Sequence, residues 1–119
     1  MPVLSGGSKY VTHATSLTTT SDTDVYVVPN NFSSHVEHLL IGNNNSSNKN
    51  YTLKYYEADT TTTHTLFNGH AVDGKGSESV FTVDKPLYIH EGDKIIIAAD
   101  TANTLTVVVA AEEFFDPNR

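Results

Sequence analysis

The feature that most limits what this chain can fold into is the spacing of its apolar residues, which recur at every second position in short runs and then stop at a turn signal. Successive side chains of a strand point to opposite faces, whereas an amphipathic helix repeats at three and four. Tyr51, Leu53 and Tyr55 alternate with Thr52, Lys54 and Tyr56. Over 34–41, Val36, His38 and Leu40 alternate with His35, Glu37, Leu39 and Ile41. Further β-branched and aromatic runs occupy 9–14, 24–28, 61–67, 77–83, 87–89, 94–99 and 105–111. Pro29-Asn30-Asn31, the Asn- and Ser-rich stretch 42–50, Asn68-Gly69, Asp73-Gly74-Lys75-Gly76 and Glu91-Gly92-Asp93 punctuate them.

Short strands at spacings of roughly 8 to 12 residues, with no helical segment, predict an all-β fold. The expected architecture is an antiparallel β-sandwich, jelly-roll-like, with eight or nine short strands. At 119 residues a second core does not fit, so one sandwich is expected over 9–111, with an extended N-terminal arm at 1–8 and a C-terminal tail at 112–119. The 42–50 stretch reads as a long hairpin connection, and 94–99 with 105–111 as a final hairpin. Core candidates are Val25, Val27, Val36, Leu40, Leu53, Phe81, Ile95, Ile97, Leu105, Val107 and Val109.

Charge narrows the partners. Fourteen acidic residues against seven basic ones leave a formal net charge of -7, and Arg119 is the lone arginine. Nucleic acid is not expected as a partner, since phosphate binding draws on clustered Lys and Arg. No apolar run reaches the roughly 18 residues of a membrane span, and 1–10 shows no basic, apolar leader pattern, so neither membrane nor secretion is expected. With no cysteine, disulfides, zinc-thiolate sites and a Cys nucleophile are excluded.

The residues that carry chemistry do not assemble into a motif. His35 and His38 stand three apart, which places them on opposite faces of a regular strand, so they reach one ion only with help from a bulge. Asp73-Gly74-Lys75-Gly76-Ser77-Glu78 offers loop oxygens but not the spacing of a calcium loop, and Lys75 brings a positive charge into it. No Gly-x-Ser-x-Gly elbow exists, and Glu112 and Glu113 point apart on a strand. No catalytic residue, cofactor or metal site is therefore expected, and the protein is expected not to be an enzyme. Sugar binding is the rival reading: Tyr51, Tyr55 and Tyr56 suggest a platform beside the Asn-rich loop, but alternation leaves Tyr56 as its one exposed ring.

The stretch 15–29 (TSLTTTSDTDVYVVP), a strand leading into Gly42-Asn43, the run 87–95 (LYIHEGDKI) and a Val-rich last strand ending in Glu112-Glu113 resemble small β-sandwich virion proteins of tailed bacteriophages. The resemblance implies a structural protein located in the virion: a capsid decoration or cement protein on the head exterior, made in the host cytoplasm before assembly. The alternatives are a neck, tail or fibre adaptor, or a carbohydrate-binding module. Implied partners are the major capsid protein or other virion proteins and further copies of the chain, a trimer being the arrangement at a threefold position. Expected interface residues are Val3, Leu4 and Tyr10 of the arm region, Asn44 and Asn45 of the loop, Tyr56, and Phe114 and Phe115 of the tail.

Overall fold

The computed structural model describes residues 8–117. Nine strands run through them: β1 (Ser8–Ser16), β2 (Thr23–Val27), β3 (Phe32–Asn43), β4 (Lys49–Glu57), β5 (Thr62–Val72), β6 (Ser77–Phe81), β7 (Leu87–His90), β8 (Lys94–Ala99) and β9 (Leu105–Phe115). They form two antiparallel sheets, one ordered β1-β9-β3-β6 with β7 also on β3, the other ordered β2-β8-β4-β5. β6 pairs with residues 39–42 of β3 and β7 with residues 33–36, so the two short strands share one edge. The break between them is a tight turn closed by Thr82 and Lys85, followed by Pro86, which has no N–H to give to a ladder. With β6 and β7 counted as one interrupted strand, each sheet has four positions, and the chain changes sheet at every link except β4 to β5. That is the jelly-roll arrangement.

Strand crossing corrects two expected hairpins. β3 and β4 lie in opposite sheets, as do β8 and β9, so the 44–48 and 100–104 connections are arches over the end of the sandwich. The apolar periodicity of a strand is the same whichever sheet it joins. Asn43 braces the first arch: buried at the end of β3, its Nδ2 donates to the carbonyls of Ser47, Val72 and Asp73. Asn68-Gly69 does not end a strand either. It lies inside β5 as a bulge against β4, with Gly69 at φ 71°, a left-handed conformation that glycine adopts without a Cβ clash.

The core lies between the sheets and contains Val25, Val36, Leu53, Ile95, Ile97, Leu105, Val107 and Val109 as expected, joined by Tyr26, Val28, Leu39, Ile41 and Tyr51. Three core expectations fail. Val27 is 44% exposed, Leu40 is half-buried on the outer face, and Phe81 only packs against the core from its rim. The first two have one cause. The β2–β8 register shifts between Asp24 and Tyr26, and the β3–β9 register between Val36 and His38. Each shift inserts one residue into the strand and reverses the facing of everything after it. Val25 and Tyr26 therefore both point inward, and Leu39 replaces Leu40 in the core.

The expected tail at 112–119 begins later, because β9 continues through Phe115, with Glu112 and Glu113 paired to both β1 and β3. At the β7–β8 turn, buried Asp93 accepts hydrogen bonds from the Tyr55 hydroxyl (2.8 Å) and from the backbone N–H groups of Ala58 and His90 (both 2.9 Å).

Candidate functional site

Side chains on the outer face of the β1-β9-β3 sheet fall into rows set by strand register. Tyr10 on β1, Glu112 on β9, His35 on β3 and Tyr88 on β7 form one row. The adjacent row is Ser8, Phe114, Ser33 and His90. Further along the strands the face is made by Ala14, Val108 and Leu40, with Ala110 and His38 between. An open sandwich face ordinarily alternates polar residues toward solvent. β9 does not: Val107, Val109 and Ala111 enter the core while Val108, Ala110 and Phe114 face outward. The strand positions of this face carry carboxylates at Glu37 and Glu112 and no lysine or arginine among the described residues.

The insertion in β3 shapes the middle of the face. With Glu37 as the extra residue, His35 and His38 both emerge on the outer side. The two imidazoles do not meet: His38 turns toward Ser79, while His35 lies against Tyr88, ring on ring, with centroids 4.3 Å apart and planes 14° from parallel. The His35 Nδ1 is 3.8 Å from a Glu37 carboxylate oxygen, beyond hydrogen-bond length, and its Nε2 is buried with no hydrogen-bond partner. Glu112 closes the group from β9, and one ligand-type atom from each of His35, Glu37 and Glu112 lies within 4.8 Å of the others. The Ser8 hydroxyl donates to Glu112 Oε2 at 2.7 Å.

Beneath this surface, the next residue of β9 turns the other way. Glu113 is buried and accepts a 2.6 Å hydrogen bond from the Tyr26 hydroxyl, whose oxygen accepts in turn from the Ser34 hydroxyl at 2.9 Å. Burial, and then the hydrogen bond to Glu113, hold the Tyr26 hydroxyl far above its ordinary pKa. Burial does the same for Tyr51, whose hydroxyl has no hydrogen-bond partner and lies near Glu78, and for Tyr55, which donates to Asp93.

The expected contact residues separate into distinct environments. Tyr10 is 74% exposed and belongs to the face. Phe114 lies on the same side at its end, while Phe115 is 53% exposed and meets Phe32 edge-on at 5.7 Å. Asn45 is committed internally: its side chain accepts from Ser47 and its carbonyl from the Lys75 N–H, while the Asn44 carbonyl accepts from Lys75 Nζ. Tyr56 is half-buried under Lys94, whose Nζ sits 5.4 Å from the ring centroid. Tyr51 is in the core, which removes it from any sugar platform. Val3 and Leu4 lie outside the described residues. Sequence reasoning missed Tyr88, which is 67% exposed, and missed Val108 and Ala110 as surface residues. The run Val107-Val108-Val109-Ala110-Ala111, apolar at consecutive positions, was the available signal for a strand covered on both sides.

No protein-family description and no curated protein matches the sequence. In fold the chain is similar to a solved structure from Bacillus endospore appendages, described as forming a novel family of disulfide-linked pili. The TM-score is 0.54 at 10% sequence identity, over 98% of this chain and 97% of that one. At this identity the likeness shows a shared fold alone, and this chain has no cysteine with which to form such links.

Proposed function

We propose that the chain is a non-enzymatic structural subunit that docks onto a larger particle through the outer face of its β1-β9-β3 sheet. The observation that supports this most directly is the apolar outer side of β9, with Val108, Ala110 and Phe114 flanked by Tyr10, Leu40 and Tyr88. An eleven-residue strand runs about 37 Å and four strands span about 15 Å, a plane of roughly 550 Å². Side-chain relief brings that toward the roughly 800 Å² per partner of a standard interface. The exposed rings at one end are the residue types that anchor such contacts.

The particle in this reading is a tailed-phage head, with the chain as a decoration protein on its exterior. The resemblance of 15–29 and 87–95 to small virion proteins favours that choice. The net charge of -7 suits a soluble exterior component that does not adhere to DNA. The test is co-sedimentation of the purified chain with empty heads of the virus that encodes it, with its solution mass measured in parallel. Binding that Val108→Glu and Tyr88→Ala each weaken at least tenfold is the expected result. Failure to sediment with heads, or assembly of the chain alone into filaments, would overturn the reading.

A further inference from the structure

We propose that His35, Glu37 and Glu112 form a binding site for one divalent first-row transition cation of the zinc class. One imidazole nitrogen and two carboxylates are a mixed donor set suited to such ions, and two carboxylate charges match a divalent ion. Ligand atoms on a common zinc lie about 2.0 to 2.2 Å from it, and so roughly 3 to 4 Å from one another. The donor atoms already lie within 4.8 Å of one another, on side chains held by facing strands, so a closure of about 1 to 2 Å brings them to that spacing.

Three features point beyond a chance cluster. His35 Nε2 is buried without a partner and Nδ1 stands too far from Glu37 to donate to it, so an imidazole between two carboxylates satisfies neither ring nitrogen within the protein. Stacking on Tyr88 fixes the plane of the ring, and the Ser8 hydroxyl orients Glu112, as outer-shell partners of metal ligands do. The inserted residue in β3 is Glu37 itself, so it lies beside His35 with no cross-strand partner of its own on β9. Three protein ligands leave one position of a tetrahedral ion to water. The site stands on this geometry and is independent of whether the face docks onto a particle.

The test uses the full chain and Zn²⁺ alone. Titration calorimetry and native mass spectrometry are expected to find one Zn²⁺ per chain and a higher melting temperature in its presence. His35→Asn, Glu37→Gln and Glu112→Gln are each expected to weaken binding by tenfold or more, while His64→Gln and His70→Gln, on exposed β5, leave it unchanged. On the unsubstituted chain, histidine ring ¹⁵N spectra are expected to show one nitrogen of His35 shifting on saturation with Zn²⁺, a readout that needs no variant to fold. No binding, binding that survives His35→Asn, or a His35 ring that responds to protons but not to Zn²⁺ would overturn the proposal.

Discussion

Leu39 and Leu40 provide a direct test of the β3 insertion, because regular alternation and the observed register assign them opposite roles. Leu39 is fully buried between the sheets, and Leu40 lies half-buried on the outer face beside Val108. Leu39→Ala removes three carbons from a packed site and leaves a cavity that strands on both sides are poorly placed to close, a loss of about 3 kcal/mol. Leu40→Ala removes a side chain that remains partly in water on the free chain, at about 1 kcal/mol or less. With a urea m-value near 1.5 kcal/mol/M, reasonable for a domain of this size, a difference of about 2 kcal/mol separates the two unfolding midpoints by about 1.3 M. The assay is urea denaturation followed by far-UV circular dichroism, with m-values checked for constancy. Val28→Ala and Val27→Ala repeat the comparison across the β2 insertion, with Val28 the buried member. Equal losses at 39 and 40, or a larger loss at 40, would refute the register and with it the outward placement of His38 and Leu40.

The tyrosines predict an alkaline limit on stability. Tyr26, Tyr51 and Tyr55 all have hydroxyls held above the ordinary value of 10.0 by burial first and by nearby carboxylates second. Above pH 10 the unfolded chain releases these protons while the folded chain keeps them, so stability present below pH 10 falls as pH rises. The limiting slope for three such groups is about 4 kcal/mol per pH unit, and Tyr26→Phe should lower it by about a third in denaturation series from pH 9 to 11.5. A slope unchanged by Tyr26→Phe would count against the buried Tyr26–Glu113 contact. Asp93→Asn should cost about 2 to 4 kcal/mol, because an amide cannot accept from all of the Tyr55, Ala58 and His90 donors, and thermal melts should register it. A loss below 1 kcal/mol would show that the turn is held by other contacts.

Strand positions were legible because period-two alternation is a local property, and Tyr51-Thr52-Leu53-Lys54-Tyr55 shows it plainly enough to place Leu53 in the core. Sheet membership was not legible. The 100–104 connection is short enough for a hairpin yet carries the chain from one sheet to the other, and nothing in the apolar pattern of β8 or β9 distinguishes the two outcomes. The insertions were equally hidden. Val36-Glu37-His38 and Asp24-Val25-Tyr26 contain no glycine to mark a bulge, so the alternation read through them with the wrong phase afterwards.

The hidden insertion in β3 decides which residues each face of the sheet presents beyond Val36. A regular strand would send Leu40 inward and separate His35 from His38, giving an outer surface with His35, Glu37 and Leu39 in simple succession. Inserting one residue brings His38 and Leu40 out opposite Ala110 and Val108, while His35 and Glu37 face outward with or without it. The leucine that lies beside Val108 is therefore set by this departure from regular pairing, whereas the cation site needs only the outward facing that His35 and Glu37 have in either register. Bulges are concentrated where a strand must re-aim a side chain at some cost in ladder hydrogen bonds. Here the core gains from the insertion, since Leu39 and Ile41 take the inward positions that His38 and Leu40 would otherwise occupy. The outer side receives His38 and Leu40 in exchange, beside the stacked imidazole of His35 and the carboxylates of Glu37 and Glu112.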